Sequence, residues 1–129
     1  QMDVTDFLEG VYFSWLTGNN DMHLKNFSLY QPNSDVRLTP AYDMLNVSIA
    51  NPADDEELAL TLNGKKKKLK DSDFEKAFET CGIPAKVFSN LKKKYIRLYP
   101  AFCDFIDSSF LDAQMKADYR TLLAERLAY

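Results

Sequence analysis

Gly18-Asn19-Asn20-Asp21-Met22-His23-Leu24-Lys25-Asn26 gathers amide, carboxylate, imidazole and ammonium groups in one short stretch, and Pro40-Ala41-Tyr42-Asp43 follows it. Phosphoryl transfer needs groups of this kind. One carboxylate must take or orient the proton of the attacking hydroxyl, and hard oxygen ligands must hold magnesium against the phosphates. Asp21 suits the first task. Asn26, five residues on, and Asp43, after a further strand-like run, suit the second. Taken singly, each is more readily explained as a loop or helix cap; the spacing joins them into a set. Lys25 could reach a phosphate or the catalytic carboxylate, or simply lie in solvent. His23 is the sole histidine. A zinc or iron centre would need further His or Cys ligands close by, and the stretch holds none. His23 is therefore expected to brace the loop by a hydrogen bond to a backbone carbonyl or to Asp43.

These groups must be held by what flanks them. Val4, Phe7, Leu8, Val11, Tyr12, Trp15 and Leu16 recur at helical spacing and predict a buried helix over about 3–16. Asp3 is its expected N-cap and Gly18 its C′ residue. Residues 27–30 and 36–39 alternate as strands around a turn-rich Gln31-Pro32-Asn33-Ser34-Asp35, which predicts a hairpin. In an antiparallel pair the start of one strand lies about 5 Å from the end of the other. Asn26 and Asp43 should thus arrive at the same end of the hairpin.

Further along, 44–50 reads as a short helix or turn and 51–57 as an exposed acidic connector. Residues 58–62 and 65–69 suggest a second hairpin about Asn63-Gly64, a strong primed-turn signal. Lys65–Lys68 would be a solvated edge. Ser72 and Glu75 suggest a capping box, with Phe74, Ala77, Phe78 and Cys81 inward and Gly82 as the stop. From Pro84 an apolar face (Val87, Phe88, Leu91, Tyr95, Leu98, Phe102, Phe105, Ile106) runs across Pro100. It predicts one helix kinked near 96–100 or two abutting helices, with Lys92–Lys94 on the wet face. Ser109–Asp112 opens a last helix with Met115, Tyr119, Leu122, Leu123 and Leu127 inward.

The expected fold class is mainly α with one or two small β-hairpins, in a single domain spanning 1–129. With 129 residues, 46% hydrophobic, the chain can bury a core. A net charge of −3 argues against a general nucleic-acid binder. Cys81 and Cys103 are too few for a disulfide framework and suit a reducing cytoplasm. Both are expected on apolar faces. The acidic start (Asp3, Asp6, Glu9) is unlike a signal peptide, and no apolar run is long enough to span a membrane. An opening Gln1 suggests a fragment of a longer protein.

Asn19-x-Asp21-x-His23-x-Lys25-Asn26-Phe27-Ser28, followed by Leu38-Thr39-Pro40-Ala41-Tyr42-Asp43, resembles the HipA family of bacterial toxin kinases. Leu58-Ala59-Leu60-x-Leu62-Asn63-Gly64-Lys65 and the capped helix after it match the same pattern. The Asp-x-His-x-x-Asn loop also occurs in phosphoinositide kinases, but the continuation points to HipA. The resemblance covers the C-terminal lobe of such a kinase, without the nucleotide-gripping lobe and its Gly-rich loop. It implies a Ser/Thr protein kinase using ATP and Mg2+, with Asp21 as catalytic base and Asn26 and Asp43 as metal ligands. It also implies an aminoacyl-tRNA synthetase as substrate and a helix-turn-helix antitoxin as partner. Alone, the chain is expected to be inactive or nearly so. Two rivals remain at this point: a non-catalytic module that binds an antitoxin or target, and a lipid or small-molecule kinase sharing the loop chemistry.

Overall fold

The computed structural model describes residues 2–128. Its elements are α1 (Met2–Thr17), a 3-10 turn (Leu24–Asn26), β1 (Leu29–Tyr30), β2 (Arg37–Leu38), α2 (Val47–Ala50), α3 (Asp71–Thr80), α4 (Ala85–Ser108) and α5 (Ala113–Leu127). The class is the expected one, mainly helical with one antiparallel hairpin. Among the described residues no helix is long and apolar enough to cross a membrane.

Helix α1 is the axis. Its apolar stripe places Leu8, Val11, Tyr12, Trp15 and Leu16 in the core, with Tyr12 and Leu16 fully enclosed. The Tyr12 ring meets Phe74 of α3 and Phe88 of α4 edge-on at 5.0 and 5.1 Å. Trp15 lies 5.0 Å from Phe74. Edge-to-face pairs add about 0.5–1.5 kcal/mol each beyond area burial. They also fix the rotation of α1, and so the direction in which the chain leaves it. Helix α5 packs against both α1 and α4.

The first helix begins slightly early, so Asp3 sits inside its first turn rather than capping it, and Val4 stays exposed beyond the aromatic stack. Its far end is as expected. Gly18 has φ +77°, its N–H donates to Trp15 C=O, and the Asn19 N–H donates to Ser14 C=O. This pair of bonds is a Schellman closure.

The second predicted hairpin shrinks to a single bridge, Leu62 to Lys65, although Asn63 and Gly64 adopt the primed-turn φ of 50° and 73°. The returning segment finds other partners. Lys66 and Lys67 pair with Glu56 and Asp55. The Lys68 and Leu69 N–H groups donate to the Glu57 carboxylate. The acidic connector and the lysine run are therefore one ion-paired unit, not two solvated surfaces. The cap of α3 lies upstream of Ser72: Asp73 accepts the Lys70 N–H and the Lys65 ammonium at 2.9 Å, which draws the helix start to Asp71.

Helix α4 is one continuous helix through Pro100. Its inward face is Phe88, Leu91, Tyr95 and Ile106, with Phe102 packed alongside. Leu98 and Phe105, expected inward, are 38% and 78% exposed, both lying toward one edge of that stripe rather than at its centre. Lys92 is not simply wet: it pairs with Asp71. Cys81, expected inward, is exposed at the end of α3, and Cys103 is half-buried. Asp112 caps α5 by accepting the Met115 N–H at 2.8 Å. Leu123 and Leu127 are buried, while Met115, Tyr119 and Leu122 are half-buried.

Candidate functional site

The stretch 18–26 leaves α1 and is bolted down from three directions. At its start, the Gly18 carbonyl accepts both the Val47 and Ser48 N–H groups and the Ser48 hydroxyl, all at 3.0 Å. That joins it to the N-terminus of α2, which Asn46 caps by accepting the Ile49 N–H. In the middle, buried Asn20 donates to Asp54 Oδ2 and to the Glu56 carbonyl, each at 3.1 Å. At its end, the Tyr42 hydroxyl donates to the Lys25 carbonyl at 3.0 Å and takes a 2.6 Å hydrogen bond from Ser28.

The last anchor matters for the candidate ligands. Tyr42 precedes Asp43 and Lys25 precedes Asn26, so one hydroxyl ties the two segments together. The hairpin does the rest, with Leu29 opposite Leu38, Tyr30 opposite Arg37, and the Thr39 N–H on the Ser28 carbonyl. The chain neighbours of Asn26 and Asp43 thus meet at the open end of the hairpin, as its antiparallel geometry demands.

Asn26 is 9% exposed. Its Nδ2 donates to the Asp21 carbonyl at 3.2 Å, while among the described residues no hydrogen bond engages its Oδ1. The amide is thereby oriented with its acceptor oxygen free. Asp21 is exposed, its backbone N–H held by Asn19 Oδ1 at 3.3 Å. Asp43 is exposed and has φ +56°, a left-handed backbone that Asp tolerates better than most residues and that often marks functional loops. Lys25 is exposed. The brace expected of His23 is not made through Nδ1, which is buried and has no partner among the described residues; the residue instead contributes its backbone, accepting the Asn26 N–H at 2.9 Å.

Among the described residues no group of three His, Cys, Asp or Glu side chains could hold a metal by itself. The available donors are one amide and two carboxylates. That set suits magnesium, which takes one or two protein oxygens and completes its octahedron with water and substrate phosphate. It offers no soft or imidazole cluster for a transition metal.

Several positioning residues are not visible in the motif. Glu57 accepts the Trp15 indole N–H at 2.8 Å as well as two backbone N–H groups. Arg126 of α5 lies 5.2 Å above the Trp15 ring and donates to the Trp15 carbonyl. Burial lowers its pKa and nearby Glu57 opposes that shift. Together these two clamp the last turn of α1, from which the loop departs. Only the charge sign of the 54–57 stretch could have hinted at Glu57; nothing in the sequence pattern marks Arg126.

Comparison with known proteins places the chain in a family. Residues 1–101 match the model of the HipA-like C-terminal domain. A Sinorhizobium fredii protein named "Putative kinase Y4dM" is 51% identical over 45 residues, 34% of this chain and 11% of that protein. A Haemophilus influenzae protein named "Putative kinase" is 49% identical over 39 residues, 30% of this chain and 11% of its own length. The solved Shewanella oneidensis MR-1 toxin–antitoxin complex of HipA, HipB and operator DNA contains a chain that superposes with a TM-score of 0.79 at 27% identity. The match covers 95% of this chain and 30% of that one. The alignments thus span about a tenth of the curated relatives and under a third of the solved chain. By the family match over most of its length, this chain belongs to the HipA-like C-terminal domain family.

Proposed function

We propose that this chain is the catalytic lobe of an ATP- and Mg2+-dependent Ser/Thr protein kinase, and that the remainder of a longer polypeptide supplies the nucleotide grip. The observation that carries the proposal is the oriented Asn26 amide, tied through Nδ2 to the Asp21 carbonyl with Oδ1 free. It lies beside a segment ending in Asp43 that Tyr42 stitches to the same loop.

In this reading Asn26 and Asp43 would hold the magnesium of a nucleotide complex, whose chemistry is to neutralise charge on the transferred phosphoryl group. Asp21 orients the acceptor hydroxyl and takes its proton. Its exposure leaves it accessible to an acceptor, and its backbone is fixed on both sides by Asn19 and Asn26. Lys25, also exposed, is available to a phosphate oxygen. His23 contributes the backbone turn that presents Asn26. The acceptor is a protein Ser or Thr, with an aminoacyl-tRNA synthetase as one substrate class. The partner is an antitoxin of the kind named HipB in the Shewanella complex, and the compartment is the cytoplasm.

The test is phosphoryl transfer by the full-length polypeptide carrying this chain. Asp21→Ala should lower the rate by roughly 10²–10⁴, the usual contribution of a general base. A variant as active as the parent would remove Asp21 from the role.

A further inference from the structure

Beside the loop lies a cavity of about 550 Å3 between α1 and the hairpin. Phe13, Phe27, Leu38 and Met44 give it an apolar lining, and nine-tenths-buried Asn26 borders it. Asp3, Asp6 and Glu9 follow one another at three-residue spacing along one side of α1 and line its rim. Glu9 is engaged by Lys94 and the Tyr95 hydroxyl at 2.8 and 2.9 Å. Among the described residues no ion pair or hydrogen bond engages the carboxylates of Asp3 and Asp6. Arg37 is the one cation in the described lining, against three carboxylates.

Gly10 also lines this cavity. A glycine inside a helix is less favourable than alanine, because it loses more backbone freedom on folding. Neither backbone nor packing requires it here. Gly10 is not among the positive-φ glycines, and an added Cβ would meet only Phe27 Cε1 at an ordinary 3.8 Å. What the bare backbone does leave is open space on the α1 wall, against the intrinsic preference of the helix.

We propose that this cavity docks a lysine- or arginine-bearing segment of the protein acceptor. The aliphatic stem lies over Gly10 and the apolar lining, and the charged head meets Asp3 and Asp6. Lys and Arg have this amphipathic character. The Asp3 and Asp6 carboxylates attract a cationic head and repel an anionic one, so the lining favours a basic side chain over an acidic one. The inference rests on the kinase reading for the identity of the segment. The proximity of Asn26 would set the docked segment beside the loop that acts on its hydroxyl.

The test titrates two labelled peptides of equal length, one alternating Leu and Arg, the other Leu and Glu, into the full-length polypeptide. Fluorescence anisotropy is read without nucleotide or magnesium, so its result stands apart from whether Asp21 supports transfer. The Arg peptide should bind, the Glu peptide should not, and binding should weaken with salt. Asp3→Asn with Asp6→Asn should weaken it roughly three- to tenfold, the effect of two exposed ion pairs. Gly10→Leu, which fills the open space and favours the helix, should abolish it without lowering the melting temperature. Equal affinity for both peptides would overturn the proposal. So would binding that is indifferent to the Asp and Gly10 substitutions, or failure of the Arg peptide to bind because another segment of the polypeptide fills the cavity.

Discussion

Gly18→Ala is the most informative single perturbation of the scaffold, because its cost can be separated into two parts. Gly18 has φ +77°, and an added Cβ would come within 2.8 Å of Leu122 Cδ2 and 2.9 Å of Asn46 Oδ1. The left-handed backbone alone costs a non-glycine residue about 1–2 kcal/mol. Overpacking adds about 1–3 kcal/mol, since Asn46 Oδ1 is already committed to capping α2. The sum is roughly 2–5 kcal/mol, a large share of the about 5–15 kcal/mol that holds a typical domain folded. At about 4 °C per kcal/mol for a domain near this size, Tm should fall by roughly 8–20 °C. Gly82 supplies the control. Its φ is +72° with nothing within 4 Å of an added Cβ. Gly82→Ala should therefore show the backbone part alone, roughly 4–8 °C. Circular-dichroism melts and urea midpoints of both variants measure the difference. If Gly18→Ala melts no lower than Gly82→Ala, the tight seam between the loop, α2 and α5 is not there.

Tyr42→Phe removes the bond to the Lys25 carbonyl and the partner of Ser28. Stability should fall by about 0.5–1.5 kcal/mol, and hydrogen exchange at the Asn26 and Asp43 amides should quicken; unchanged exchange there would mean that Tyr42 does not join the two segments. For Asp73, hydrogen bonding from Lys65 is the largest of the interactions that hold its carboxyl below the usual carboxylate range. The stability it contributes is present above the unfolded value near pH 3.9 and is lost as pH falls through the lower folded value. Urea midpoints of the parent should thus fall more steeply than those of Asp73→Asn below about pH 4, whereas parallel curves would remove the Lys65–Asp73 pair as a source of acid sensitivity.

Local signals carried the scaffold where local physics decides it. The stripe of α1, the Schellman closure at Gly18, the hairpin about 31–35 and the primed φ values at Asn63-Gly64 all follow from spacing or from residues that tolerate φ above zero. Long-range choices were not legible. The connector 54–57 and the lysines 65–68 each resemble solvated charge, and only the fold shows that they satisfy one another. The α3 capping box closes on Asp73, whose two oxygens take the Lys65 ammonium and the Lys70 N–H. Phe105 and Cys81 carry apolar character that the sequence pattern sends inward, yet both are exposed. At the site, the motif marks Asp21, Asn26 and Asp43, whereas Arg126 arrives from the far end of the chain and leaves no local trace.

The most direct test of the account is titration of magnesium and a non-hydrolysable ATP analogue into the full-length polypeptide, followed by NMR of the amides around Asp21, Asn26 and Asp43. These resonances should shift together, and only when metal and nucleotide are both present. Resonances that stay in place with both ligands saturating would contradict it, and would leave the three side chains as parts of the fold alone.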